Sequence, residues 1–75
     1  DLSGRNLEGA ELPRVNFRRA LLADSNLKNA NLSKASFQGA DLRRVVLTGA
    51  DLGGAWLLGT DLRGGQAVEG LQRAP

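Results

Sequence analysis

The sequence predicts an all-β chain that winds into a coil and turns a corner once in every pentad. Leu or Phe recurs at every fifth position from Leu2 to Leu62 without interruption. A period of five leaves an α-helix no apolar face, since successive Leu side chains are rotated by about 140°. A flat strand fails as well, because an odd period sends alternate side chains to opposite faces. One corner per pentad removes this conflict, because every Leu or Phe can then point inward.

A second column of side chains lies two residues before each Leu or Phe, and nearly all of them are small. From Ala10 to Thr60 the column holds Ala, Val, Ser or Thr, whereas Arg5 interrupts it at the open end. A separation of two residues places both columns on the same side of an extended segment. We therefore expect the small residues to pack between large ones in a continuous core. The large residues of that core are Leu7, Leu12, Phe17, Leu22, Leu27, Leu32, Phe37, Leu42, Leu47, Leu52, Leu57 and Leu62.

The corner of each pentad falls two residues after the Leu or Phe. Gly, Asp24 or Asn29 occupies most of these positions. Such residues tolerate the positive φ that the third residue of a type II turn requires. The remaining corners carry a basic residue that suits this geometry poorly, so we expect a different turn type there. These corners are Arg14, Arg19, Lys34 and Arg44.

The tripeptide Ala-Asp-Leu at residues 40–42 recurs at 50–52 and, with Thr in place of Ala, at 60–62. This run resembles the repeat of the pentapeptide-repeat family, and the resemblance covers residues 1–65. It implies a right-handed quadrilateral β-helix with four pentads per coil and about three coils. The spacing of Phe17 and Phe37 supports the four-fold closure. These two rings would stack on one wall, with Leu57 beneath them.

The pentad register breaks after Leu62. Val68 and Leu71 then follow at helical spacing within residues 66–73, which predicts a short helical or irregular C-terminal cap over the last coil. We accordingly divide the chain into a β-helix over residues 1–65 and a cap and tail over residues 66–75. Nothing comparable precedes Leu2. We expect the first coil to be covered by residues upstream of this sequence or by a second copy, as a homodimer through the uncapped end.

The composition argues against an enzyme. His, Cys and Tyr are absent, and no Ser has a base at a recognisable spacing. Asp41 and Asp61 are expected to stack, but neighbouring Arg residues neutralise them and two carboxylates are too few ligands for a metal ion. We predict no catalytic residue, no metal site and no cofactor.

Two groups of outward side chains are candidates for an interaction surface. The apolar group is Trp56, Leu58, Leu21 and Val46, and the basic group is Arg18, Arg19, Arg43, Arg44 and Arg63. A large exposed aromatic residue is a common interface anchor. The alternative, which we favour, is that the C-terminal cap folds back over Trp56 and Leu58. For the basic group we favour a solvated surface, because nearby carboxylates offset its charge.

The leading functional hypothesis is a non-enzymatic structural or protein-interaction module, whose partner is another protein or an attached domain of a longer parent chain. The resemblance implies an alternative, a DNA mimic that modulates gyrase. That role needs a strongly acidic surface, whereas the formal net charge is +2. A second alternative is a weak binder of anionic surfaces through the Arg-rich walls.

Nucleic acid is not the expected partner, because no aromatic residues are interleaved with the arginines. The sequence contains no apolar stretch long enough for a membrane span. We therefore expect a soluble protein, and family analogy slightly favours the bacterial cytoplasm over a periplasmic or lumenal compartment.

Overall fold

The computed structural model describes residues 1–66, and these form a regular coil. Within this range there is no helix, and the β structure consists of isolated parallel bridges of one residue each. The bridges pair Asn6 with Asn26, Glu11 with Asn31, Asn16 with Ser36, Leu21 with Asp41, Asn26 with Val46, Asn31 with Asp51, Ser36 with Trp56, Asp41 with Asp61 and Val46 with Gln66. The predicted cap over residues 66–73 lies outside the described residues, apart from Gln66.

Each bridge joins residues 20 positions apart, so one coil takes four pentads. The coil therefore has four walls, which we number in chain order. Wall 1 comprises residues 1–4, 20–24, 40–44 and 60–64, and wall 2 comprises residues 5–9, 25–29, 45–49 and 65–66. Wall 3 comprises residues 10–14, 30–34 and 50–54, and wall 4 comprises residues 15–19, 35–39 and 55–59. Residues at equivalent positions of one wall lie above each other in successive coils.

Backbone hydrogen bonds between successive coils follow one repeating pattern. The amide of Leu22 donates to the carbonyl of Asp41 in the next coil at 2.9 Å, and the amide of Asp24 donates to that of Arg43 at 2.9 Å. In the opposite direction, the amide of Asp41 donates to the carbonyl of Ala20 at 2.9 Å. In residues 25–44, which have a coil on both sides, three amides of each pentad are therefore engaged between coils, which holds the walls in register.

All described corners have positive φ, including those that carry a basic residue. Arg14, Arg19, Lys34 and Arg44 have φ between 58° and 62°, in the same left-handed region as the corner glycines. At Lys34 the turn closes with a hydrogen bond from the Ala35 amide to the Leu32 carbonyl at 3.1 Å. The basic residues therefore adopt the positive φ that their side chains were expected to disfavour. The ladder fixes each corner, and we infer that it outweighs the roughly 1–2 kcal/mol that a side chain costs there.

The interior is filled by the two inward columns. Phe17 and Phe37 stack with ring centroids 5.2 Å apart and planes inclined by 11°, as their spacing predicts. Most of the predicted large core residues are buried, but Leu7 and Leu12 in the first coil are only half-buried, as is Leu62 in the last. The buried ones are Phe17, Leu22, Leu27, Leu32, Phe37, Leu42, Leu47, Leu52 and Leu57. The core is thus densest in the middle coil, where it is covered from both sides.

Two hydroxyl groups belong to the column of small inward residues, and they differ in their hydrogen bonding. Thr60 donates from Oγ1 to the carbonyl oxygen of Phe37 at 2.7 Å. Ser25 is fully buried, and its Oγ has no hydrogen-bond partner among the described residues. Ser25 therefore fits the interior by size, while its hydroxyl makes no favourable contact of its own.

Candidate interaction surface

Asp and Asn side chains on the outside of the coil cap the turn that follows them. Asn16 illustrates the arrangement, because its Oδ1 accepts the amide of Arg18 at 3.0 Å. That amide belongs to the first residue of the turn, and the coil-to-coil bonds leave it unused. The same bond is formed by Asp1, Asn6, Asn26, Asn31, Asp41, Asp51 and Asp61. Among these residues the sequence predicted only the stacking of Asp41 with Asp61, although their spacing from the turn contained this signal.

Three of the four predicted apolar surface residues interrupt this column of caps, and these three lie on different walls. Leu21 lies on wall 1, Val46 on wall 2 and Trp56 on wall 4, each where an Asp or Asn would accept an amide. Leu58 shares wall 4 with Trp56. These two side chains are 69% and 41% exposed, respectively. The structure therefore brings together only Trp56 and Leu58 out of the four apolar candidates.

The arginines of wall 1 are paired with carboxylates. Arg43 binds Asp41 through two hydrogen bonds of 2.9 Å, and Arg63 binds Asp61 through bonds of 3.0 and 2.8 Å. Arg44 reaches across one coil to Asp24, at 2.7 and 2.9 Å. The pairing within a pentad follows from the repeat, but the pairing between coils depends on the register.

These pairs shift the ionisation of their members in the direction that favours both charges. The hydrogen bonds from the Arg63 side chain lower the pKa of Asp61 to about 2. Arg43 and Arg44 likewise lower the pKa of Asp41 and Asp24 through side-chain hydrogen bonds. Each guanidinium pKa is raised in turn. The wall 1 arginines are therefore largely neutralised by their own neighbours.

Wall 4 differs from the other walls because it carries no acidic residue. The acidic residues of the described chain are Asp1, Asp24, Asp41 and Asp61 on wall 1, Glu8 on wall 2, and Glu11 and Asp51 on wall 3. Arg18 and Arg19 lie at the first-coil end of wall 4, and Trp56 and Leu58 lie at its third-coil end. Between them the wall is polar and uncharged. Sequence reasoning missed this segregation, which becomes visible only when positions 20 apart are aligned.

Two further basic residues lie at the corner between wall 3 and wall 4. They are Arg14 in the first coil and Lys34 beneath it. Lys34 passes over Gly54, since a β-carbon on that glycine would lie 3.2 Å from the Cγ of Lys34. On the opposite corner Arg19 passes over Gly39, with the corresponding distance 3.4 Å. Both cationic side chains therefore lie along the corners that border wall 4.

None of the cations on wall 4, or at the corners that border it, forms an ion pair with another residue in the described part of the chain. These cations are Arg14, Arg18, Arg19 and Lys34. Their situation is opposite to that of Arg43, Arg44 and Arg63, whose charges are compensated. Of the predicted basic group, Arg18 and Arg19 thus remain available to a partner, and Arg14 and Lys34 join them.

Comparison with known proteins agrees with this architecture. The family model described as "Pentapeptide repeats (8 copies)" matches residues 1–39 and 25–64. The chain belongs to the pentapeptide-repeat family. Together the two matches span nearly all of the described coil, so the repeat accounts for the β-helical solenoid as a whole.

Solved structures include other pentapeptide-repeat proteins that are similar to this pentapeptide-repeat chain. One, from the thylakoid lumen of Arabidopsis thaliana, is 31% identical with a TM-score of 0.69. The match covers 99% of this chain and 58% of that protein, so this chain spans little more than half of its length. Another, Rfr23 from the cyanobacterium Cyanothece 51142, is 26% identical with a TM-score of 0.25, over 83% of each chain. No curated protein matches the chain.

Two kinds of feature are absent from the described part of this pentapeptide-repeat chain. No group of three or more acidic side chains gathers closely enough to hold a metal ion within residues 1–66. The same residues contain no long apolar helix of the kind that crosses a bilayer.

Proposed function

We propose that the chain is a non-enzymatic structural and protein-interaction module, a rigid post of about three coils that presents wall 4 to a protein partner. One observation carries this proposal: Trp56 and Leu58 are exposed together on the wall that has no acidic residue. Large apolar side chains exposed side by side are typical of contact sites, and aromatic residues are enriched among interface anchors.

The fold does not require a tryptophan at position 56. On the same wall, Asn16 occupies the equivalent position and caps the amide of Arg18. Trp56 cannot accept a hydrogen bond from the amide of Leu58, and it exposes a large apolar ring to water. A residue that forgoes a local stabilising contact is better explained by a contact outside the coil of residues 1–66 than by the folding of that coil.

The backbone beneath Trp56 is held firmly in place. Its amide donates to the carbonyl of Ala35 at 2.9 Å, and its carbonyl accepts the amide of Phe37 at 2.8 Å. The neighbouring Leu57 is buried in the core. A partner would therefore meet a preorganised surface and would lose little free energy to the ordering of this wall.

The two alternative functions receive less support from the charge distribution. A gyrase-directed DNA mimic needs free carboxylates, but Asp24, Asp41 and Asp61 are each bound to an arginine. A binder of anionic surfaces would use Arg18, Arg19, Arg43, Arg44 and Arg63, but the same ion pairs engage the last three and leave it only Arg18 and Arg19 as arginines of that group that are unpaired within residues 1–66. A protein that contacts wall 4 agrees best with where the uncompensated groups lie.

Site-specific photo-crosslinking tests the proposal. A photo-reactive phenylalanine derivative replaces Leu58 on wall 4 or, as the matched control, Lys28, which occupies the equivalent position on wall 2. We expect a discrete crosslinked protein, identified by mass spectrometry and reproduced with that protein purified, from position 58 alone. Equal crosslinking from both positions, or none from either, would contradict the proposal.

A further inference from the structure

We infer that wall 4 binds an extended acidic segment of a partner protein, in which a carboxylate precedes or follows an apolar side chain by about three residues. This inference rests on the proposed function of wall 4 and adds the chemistry of the partner. It depends on three features of the wall: its uncompensated positive charge, its apolar end and the distance between them.

The charge of the wall calls for an acidic partner. Arg18 lies on the wall itself in the first coil, with Arg14 and Arg19 at its two corners and Lys34 one coil below Arg14. No carboxylate lies on wall 4, and none of these cations is paired within residues 1–66. A carboxylate placed here would meet several cations at once, which favours both the rate of encounter and the orientation of the partner.

The other end of the wall calls for an apolar group. Trp56 and Leu58 flank the inward Leu57, so both of their side chains point outward from the same short segment. The exposed indole ring and the exposed leucine side chain lie two residues apart on one wall and offer apolar surface to one aliphatic or aromatic residue. Burial of that residue would provide the anchor, and the cations would fix its orientation.

The spacing of the two ends sets the length of the segment. Arg18, Gln38 and Leu58 occupy one vertical column, so Arg18 and Leu58 are two coil spacings apart, which is about 10 Å. An extended chain rises about 3.3 Å per residue, so about three residues span this distance. Ser36 and Gln38 lie between the two ends and can hydrogen-bond the backbone of a crossing segment.

The surroundings of the apolar end disfavour a lipid bilayer. Asp51 on wall 3 and Asp61 on wall 1 lie on either side of wall 4 near the level of Trp56. Asp61 is paired with Arg63, but insertion of Trp56 and Leu58 among anionic headgroups would bring the carboxylate of Asp51, which is unpaired within the described residues, towards like charges. Single-stranded nucleic acid is also disfavoured, because Trp56 offers only one stacking platform whereas such sites stack successive bases on several aromatic rings.

Direct binding to synthetic peptides tests the inference with the complete chain. The probe is a fluorescently labelled peptide with three consecutive glutamates followed, three residues later, by a Leu-Phe pair. One control peptide has glutamines in place of the glutamates, and the other has serines in place of Leu-Phe. We expect the probe to bind about tenfold more tightly than either control by anisotropy, and added salt to weaken it. The emission of Trp56 should shift to shorter wavelength on binding.

Matched variants locate the binding site. A triple variant, R14Q with R18Q and R19Q, should weaken peptide binding about tenfold. The control variant removes exposed cations from wall 2, through R5Q with K28Q, and should leave binding unchanged. Trp56→Asn should weaken binding about 30-fold, as expected for an anchor, whereas Leu21→Asn on wall 1 should not. Both Asn variants place a turn-capping side chain at the pentad position that Asp or Asn fills in most other pentads. Thermal unfolding verifies that both variants are folded.

Three results would overturn the inference. The first is equal affinity for the glutamate and glutamine peptides, and the second is an equal loss of binding in the two charge variants. The third is tighter binding to phosphatidylserine vesicles or to oligothymidylate than to the probe peptide. If crosslinking from position 58 succeeds while the probe peptide fails to bind, the acidic-segment inference is wrong and the proposed function stands. If neither is observed, both are wrong.

Discussion

Asn29 covers Gly49 in the next coil, because the two residues occupy the same corner column. A β-carbon on Gly49 would clash with the Oδ1 of Asn29, and Gly49 also has a φ of +73°. The same relationship recurs where Lys34 passes over Gly54 and Arg19 over Gly39. The side chain at each of these three corners thus favours a glycine one coil below it, a constraint between residues that are remote in sequence.

Gly49→Ala should therefore destabilise the fold by more than the backbone strain of an alanine with positive φ, because the added β-carbon also meets Asn29. The matched control is Gly9→Ala, in the same column with a φ of +72° and open space around the added carbon. We expect Gly9→Ala to cost about 1 kcal/mol and Gly49→Ala about 2 kcal/mol, measured by chemical denaturation. Equal costs would show that Asn29 moves aside without strain.

Trp56→Asn should stabilise the turn that follows residue 56, because it adds a cap that the natural tryptophan cannot form. Asn at this position can accept the amide of Leu58, as Asn16 accepts that of Arg18 at 3.0 Å. Trp56→Ala is the control, because it removes the ring without adding an acceptor. We expect the Asn variant to be more stable than the Ala variant by about 0.5–1 kcal/mol in thermal or chemical unfolding. If Trp56→Asn is less stable than Trp56→Ala, the turn cap does not form there.

Ser25→Ala should also stabilise the fold, because the Oγ of Ser25 is buried without a partner. Alanine is the commonest residue in this inward column and leaves no polar atom to desolvate. We expect a gain of about 1 kcal/mol in the free energy of unfolding. Thr60→Val provides the contrast, since it removes the hydrogen bond to the Phe37 carbonyl and should cost about 1 kcal/mol. A loss of stability in Ser25→Ala would contradict this account.

Acid should weaken the fold through the wall 1 ion pairs. The pKa of Asp61 is lowered from 3.8 to about 2, and those of Asp24 and Asp41 are lowered as well. A lowered pKa in the folded state means that the contribution to stability is complete above the ordinary value and is lost as the pH falls from about 4 towards 2. Denaturant midpoints measured from pH 7 to pH 2 should be flat and then fall.

Asp61→Asn is the control for this acid dependence. Asn retains an oxygen that can cap the amide of Arg63 but loses the charge that binds its guanidinium. The variant should show a smaller decline in stability below pH 4 than the natural chain, and added salt should reduce the decline in both. An identical decline would place the acid-sensitive groups elsewhere.

Local spacing made much of the coil predictable. The unbroken recurrence of Leu or Phe implies one corner per pentad, because no helix or flat strand can bury side chains with that period. The stacking of Phe17 on Phe37 followed from their separation of one coil. Such features depend on each pentad and its immediate successors, so they can be read along the chain.

The turn geometry at the basic corners and the composition of the walls required the folded coil. Lys34 has positive φ because hydrogen bonds to the neighbouring coil hold its corner. The local conformational preference of lysine does not predict this, since those hydrogen bonds are tertiary contacts. The pairing of Arg44 with Asp24 likewise exists only because the register stacks them. The chain thus encodes its inward columns pentad by pentad, while the charges that meet on one outer wall are set by contacts between coils.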